Sequence, residues 1–138
     1  LDFFERIDSG NAFRRMCVLD AVILNTDRHY GNFGVLFDTG TMEIKGMAPV
    51  FDHNRSLLPE LDNEQLAEPA WYLRRCRPKL GQDFIRNARG LLTDDIRRSL
   101  IRLKDFTFRQ HPDIQAEPAR LDALGRILQD RIRLILEG

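Results

Sequence analysis

Between Leu24 and Phe37 the chain reads LNTDRHYGNFGVLF, and this stretch constrains the fold more than any other. Asn25, Asp27, Gly31, Asn32 and Gly34 are poor helix-interior residues and good loop residues. Their short polar side chains compete for backbone hydrogen bonds, and glycine loses the most entropy on ordering. The run before them, from Asn11 to about Leu24, places Phe13, Met16, Cys17, Val22 or Ile23, and Leu24 on one helical face. The chain must therefore turn at the end of a buried helix, which holds a polar loop in place.

The surrounding pattern predicts an α+β fold, mainly α, as a single domain over residues 1–138. Phe3, Phe4 and Ile7, with Leu1, form an apolar stripe before Ser9-Gly10-Asn11 interrupts it and offers a helix cap. Phe33–Phe37 reads as a short strand, Asp38-Thr39-Gly40-Thr41 as a turn, and Met42–Met47 as an alternating strand, giving a small β-hairpin. Pro49 marks an edge or break, after which Val50-Phe51 carries Asp52 back beside the loop. Leu57–Pro69 reads as an irregular connection with one short helical turn. Beyond it, a helix over Gln82–Arg89 is expected to stop at Gly90, and Thr93 with Asp94 and Asp95 caps the next. Ile96, Leu100, Leu103 and Phe106 form its stripe. Glu117-Pro118 opens the last helix, where Leu121, Leu124, Ile127, Leu128, Ile132 and Ile135 recur every three or four residues. These helices are expected to bundle in support of the loop.

Apolar residues make up 43% of the chain, enough for a packed core, and 21 basic residues balance 21 acidic ones. That balance removes the bulk electrostatic argument for nucleic acid or an anionic membrane. The charge is unevenly spread, because Trp71–Gln110 carries eleven Lys or Arg against four acids. Arg74-Arg75-Cys76-Arg77, beside Trp71 and Tyr72, is the best candidate for a basic surface toward an acidic peptide or RNA. A solvated helix face is the favoured reading of it. Cys17 and Cys76 form no C-x-x-C pair, so neither a zinc site nor a disulfide framework is indicated, and a cytoplasmic setting fits best. No apolar run approaches the roughly 18 residues that span a bilayer. The opening LDFFERIDSG reads as a helix or its entry without a start methionine, so the chain is expected to begin inside a larger protein.

Asp27, Asn32 and Asp52 are the residues with a chemistry to offer. In phosphoryl transfer a protein mainly positions the acceptor hydroxyl and neutralises charge through metal ions held by carboxylate and amide oxygens. An Asp five residues before an Asn lets one loop supply both, and a second Asp from a neighbouring strand end completes the set. The plainer reading is that Asp27 and Asn32 cap a turn and Asp52 caps the loop after its strand. Arg28 is expected to pair with a nearby carboxylate or carbonyl, and Asn25 to shape the loop. His29, His53 and Asp52 lack the spacing of a zinc site.

NTDRHYGNFGVL followed by APVFDHNRSLL resembles the catalytic core of the HipA-like serine/threonine protein kinases, with their N-x-D-R-H-x-x-N loop and later Asp. The D-R-H-x-x-N element is shared more distantly with the phosphatidylinositol kinases. The resemblance covers Asn11–Leu58 well and the helical remainder in general character. It implies that the chain is a kinase-like carboxy-terminal lobe, with Asp27 catalytic and with Asn32 and Asp52 binding magnesium and thereby ATP. His29 occupies the position where many protein kinases place a phosphate-contacting Lys. Its first reading from the residues is a ring that holds the loop by bonding a backbone carbonyl or Asp52, with phosphate contact second. The implied activity is magnesium-dependent transfer of the ATP γ-phosphate to Ser or Thr of a protein substrate. The alternatives are a lipid or small-molecule phosphotransferase and a pseudokinase-type binding module. Two departures stand out. No glycine-rich phosphate loop or strand Lys precedes the site, so the amino-terminal lobe is expected to lie elsewhere and this lobe to be inactive alone. His53-Asn54 also replaces Phe-Gly after Asp52.

Overall fold

The computed structural model describes all 138 residues, as seven helices and one two-stranded antiparallel sheet. The mainly helical α+β class expected from the sequence is what forms. Helix α1 spans Asp2–Arg6 and α2 spans Gly10–Ile23. Strands β1 (Val35–Phe37) and β2 (Ile44–Met47) pair as Val35↔Met47, Leu36↔Gly46 and Phe37↔Ile44, with a bulge between Leu36 and Phe37. The remaining helices are α3 (Asn63–Ala67), α4 (Ala70–Leu73), α5 (Phe84–Gly90), α6 (Asp94–Arg102) and α7 (Pro118–Leu136). No helix is long and apolar enough to cross a membrane.

Helix α7 is the centre of the core. Pro118 sits at its first turn, where no amide is needed. Its stripe of Leu124, Ile127, Leu128, Ile132 and Ile135 is buried against α2, α3, α5 and α6. Leu121 lies at the edge of that stripe, half-buried. Each fully buried aliphatic side chain contributes about 1.5–3 kcal/mol, so this one stripe organises most of the bundle. The connection after Leu57 adds Leu58, Leu61 and Leu66 to the same core, and Asp62 with Gln65 forms a capping box that starts α3.

Several boundaries differ from the sequence expectation, each for a local reason. The first strand begins at Val35, because Phe33 is drawn into an aromatic cluster with Phe4, Phe13 and Tyr30, its ring centroids 5.6–6.0 Å from theirs. The hairpin buries little, with Leu36, Phe37 and Ile44 about half exposed. Its main tie to the helices is Ser9 Oγ, which accepts from the Met47 amide at 2.9 Å. Phe13 and Cys17 are only half-buried, while Val18 and Ala21 take core positions instead. Gly90 is the last residue of α5 and not a left-handed stop, since its φ is not positive and the Leu91 amide bonds back to the Ala88 carbonyl at 3.0 Å. Helix α6 ends at Arg102, leaving Leu103 and Phe106 largely exposed. Thr93 is at its N-cap but bonds Asp95 through its hydroxyl and leaves the helix amides alone. The basic stretch is not a helix face either: α4 stops at Leu73, and Arg74–Arg77 continue as a strap toward α5.

Candidate functional site

The loop is built on the end of α2. Leu24 ends the helix in the left-handed region, at φ 57°, and the Asn25 amide returns to the Asp20 carbonyl at 3.0 Å. Glycine is the usual residue there, so a buried leucine in that conformation costs roughly 1–2 kcal/mol. The side chain of Leu24, 1% exposed, anchors the turn in the core in return.

Alongside this turn runs the segment from Phe51 to Leu57. The Leu57 amide donates to the Ile23 carbonyl at 2.8 Å, and the Thr26 amide and hydroxyl both reach the Arg55 carbonyl. Asn25 Nδ2 reaches the Asp52 carbonyl at 3.5 Å. Arg28 completes the join. Its Nη1 donates to the Asn32 carbonyl at 2.8 Å and to the Phe51 carbonyl at 2.6 Å, so one nitrogen holds both sides together. The rest of the guanidinium grips Asp20 in a bidentate pair at 2.8 and 3.0 Å. Asp20 also accepts from Asn25 Nδ2 at 3.0 Å. Arg28, Asp20 and Asn25 are all at least 94% buried. A buried ion pair survives only when its remaining polar atoms are satisfied, and here the carbonyls and the amide satisfy them.

Within this frame Asn25 Oδ1 accepts from the Asp27 amide at 3.1 Å, and Asn32 Nδ2 donates to the Asp27 carbonyl at 2.8 Å. The second bond uses the nitrogen of the Asn32 amide and leaves Oδ1 as its uncommitted acceptor, an oxygen suited to a hard cation. Asp52 is exposed and left-handed at φ 58°, a conformation that short polar residues tolerate. Just after it, His53 Nε2 and Ser56 Oγ are buried without hydrogen-bond partners. An amide oxygen and a carboxylate are hard donors, which suit magnesium better than a softer metal; Asn32 is buried and Asp52 is exposed. No three His, Cys, Asp or Glu side chains gather into a separate metal cluster.

The Asp27 carboxylate forms an ion pair with Lys79 Nζ. That contact, aided by the charges of His29 and Arg55, holds the Asp27 pKa below the usual carboxylate value against some desolvation. His29 is not placed as the sequence suggested. Its Nδ1 accepts from the Gly31 amide at 3.0 Å, and it bonds neither a backbone carbonyl nor Asp52. A Cβ at Gly31 would lie 2.9 Å from the ring, which would have to shift to admit it.

Two members of the site escape a reading by motif. Asp20 carried a signal: it stands four residues from both Met16 and Leu24 on the buried stripe, and an acid there demands a cation. Lys79 carried none, because it lies 52 residues from Asp27 and reaches it only through the fold. Beneath the strap that bears Lys79, a cavity of about 390 Å³ is lined by Cys17, Asp20, Arg28, Pro78, Leu80 and Phe84, among others. Burial there, together with the Asp20 charge, pushes the Cys17 thiol up to about 11. Set against protein-family models, curated proteins and solved structures, the chain matches none of them.

Proposed function

We propose that this chain is the catalytic-loop lobe of a HipA-like serine/threonine protein kinase, acting in the cytoplasm together with an amino-terminal nucleotide-binding lobe. The observation that carries this reading is the Arg28 clamp. A single buried guanidinium joins the carbonyl of Asn32 to the carbonyl next to Asp52, so the two halves of the sequence motif are one structural unit. A pair of independent turn caps would have no need of that expensive arrangement.

In this role Asp27 orients the acceptor hydroxyl of a Ser or Thr and takes its proton as the γ-phosphate of ATP is transferred. Its depressed pKa keeps the carboxylate ionised, and the fixed backbone of Asn25, Asp27 and Asn32 holds it in position. Lys79 supplies a cation beside the reacting groups. His29 braces the loop through Nδ1, which leaves Nε2 for the phosphate contact that its place in the motif implies. Asn32 and Asp52 would hold a magnesium ion, which when bound neutralises charge on the β- and γ-phosphates.

The test is phosphate incorporation into Ser or Thr by the full-length protein with magnesium and ATP. Asp27→Asn is expected to lower the rate by roughly 10²–10⁴-fold, the usual loss on removing a general base. Phosphate appearing on lipid head groups and not on protein would move the assignment to a lipid kinase. A protein that binds no magnesium nucleotide with Asn32 and Asp52 intact would be a non-catalytic module.

A further inference from the structure

Next to Asp27 lies a groove of about 380 Å³ bounded by Thr26, Glu60, Tyr72, Arg75, Cys76 and Arg77. Thr26, one of its walls, is the chain neighbour of the proposed base Asp27. The segment from Trp71 to Gln82, the end of α4 and the strap after it, supplies further walls and carries Arg74, Arg75, Arg77 and Lys79 and no acid. Lys79 is paired with Asp27, whereas Arg75 and Arg77 form no ion pair with any carboxylate, Glu60 of the groove included. Arg75 donates to the Trp71 carbonyl at 3.3 Å and lies 3.7 Å over the Trp71 ring. Arg77 donates to the Cys76 carbonyl at 2.8 Å. Both remain exposed, with planar donor edges that match a carboxylate.

We infer that this groove receives an acidic side chain of the peptide that bears the acceptor hydroxyl, so that the preferred substrate is a Ser or Thr flanked by Asp or Glu. The inference rests on the kinase reading and specifies its substrate class. Charge complementarity selects the occupant: two unpaired guanidiniums face the groove against the one carboxylate of Glu60. A peptide sets its acid at one point, opposite Arg75 and Arg77, and avoids Glu60. A nucleic acid carries a charge at every step and meets Glu60 as well. The stacking surface that single-stranded RNA would use is also partly taken, since Arg75 covers one face of Trp71 and the Tyr72 ring packs at its edge, 4.8 Å between centroids.

The experiment measures binding and transfer with the same probes. Fluorescence anisotropy at low salt is run on a labelled Ser peptide flanked by Glu, on its Gln-flanked counterpart, and on oligouridine of matched charge. The Glu peptide is expected to bind about tenfold more tightly than the Gln peptide, with the gap closing at high salt. The double substitution Arg75→Glu and Arg77→Glu should erase the preference, with circular dichroism confirming that the helices are intact. Equal binding of the two peptides, an unaffected double variant, or tighter binding of oligouridine would each overturn the inference. Phosphate transfer by the full-length protein separates it from the reading beneath it. Charge-selective binding without transfer sinks the kinase and leaves the acidic-peptide groove. Transfer that ignores flanking charge leaves the kinase and sinks the groove.

Discussion

Around α7, Ile132, Ile135, Leu124 and Leu128 are buried among other aliphatic side chains, and each touches several neighbours that do the same job. At the end of α2, Arg28 is buried just as deeply, but every one of its contacts is a particular oxygen: two on Asp20, one on Asn32 and one on Phe51. Carbon packing degrades gradually when a methyl is lost, because the surrounding atoms partly relax. A buried polar clamp fails as a unit, since removing one member strands the charge of another. The difference teaches that the core spreads its stabilisation over many replaceable contacts, while the clamp concentrates it in a few oxygens that also tie the Asn32 and Asp52 segments together.

The contrast can be broken most directly at Arg28. Arg28→Met strands Asp20 and should destabilise the protein by about 3–5 kcal/mol in urea unfolding. Adding Asp20→Leu should recover much of that loss, and a double variant no more stable than Arg28→Met would mean that the pair is not a coupled unit. In the core, Ile132→Val should cost only about 0.5–1.5 kcal/mol and leave nucleotide or peptide binding unchanged. A loss of binding from that substitution would erase the division between the two regions.

Weaker effects refine the boundary between them. Asp95 ties α6 to α2 by accepting from Thr93, Asn11 and Arg15, and these bonds hold its pKa well below the usual carboxylate value. A carboxylate depressed in the folded state adds stability above its unfolded pKa and loses it as pH falls through the folded one. Asp95→Asn should therefore lower stability at neutrality and flatten the acid side of the profile, its deficit against the wild-type protein shrinking as pH falls below about 4. Cys17, beside the clamp with its thiol pushed up to about 11, should be alkylated far more slowly at pH 8 in the native protein than in denaturant. Equal rates would mean that the strap over the neighbouring cavity opens freely.

Much of the architecture could be read from residues alone. Period-3.6 stripes located α2 and α7, Glu117-Pro118 marked the start of α7, and loop-forming residues placed the turn after Leu24. These features are local, and local sequence carries the physics of propensity and amphipathicity. The strand boundary at Val35, the exposure of Leu103 and the failure of Gly90 to act as a left-handed stop were not legible. The first two depend on whether a distant partner is there to receive the side chain, and the third on which nearby carbonyl the Leu91 amide finds.

The same division runs through the site. Sequence by itself proposed which side chains could do chemistry, since Asp27, Asn32 and Asp52 stand at a spacing that resembles a known motif. Only the tertiary structure decided what each of them meets: Lys79 on the Asp27 carboxylate, the Asp27 carbonyl on the Asn32 amide, and the Arg28 guanidinium across both strands of the join. The reason is physical. Hydrogen bonds and ion pairs act over a few ångströms, and groups 52 positions apart are brought that close by the packing of the bundle between them.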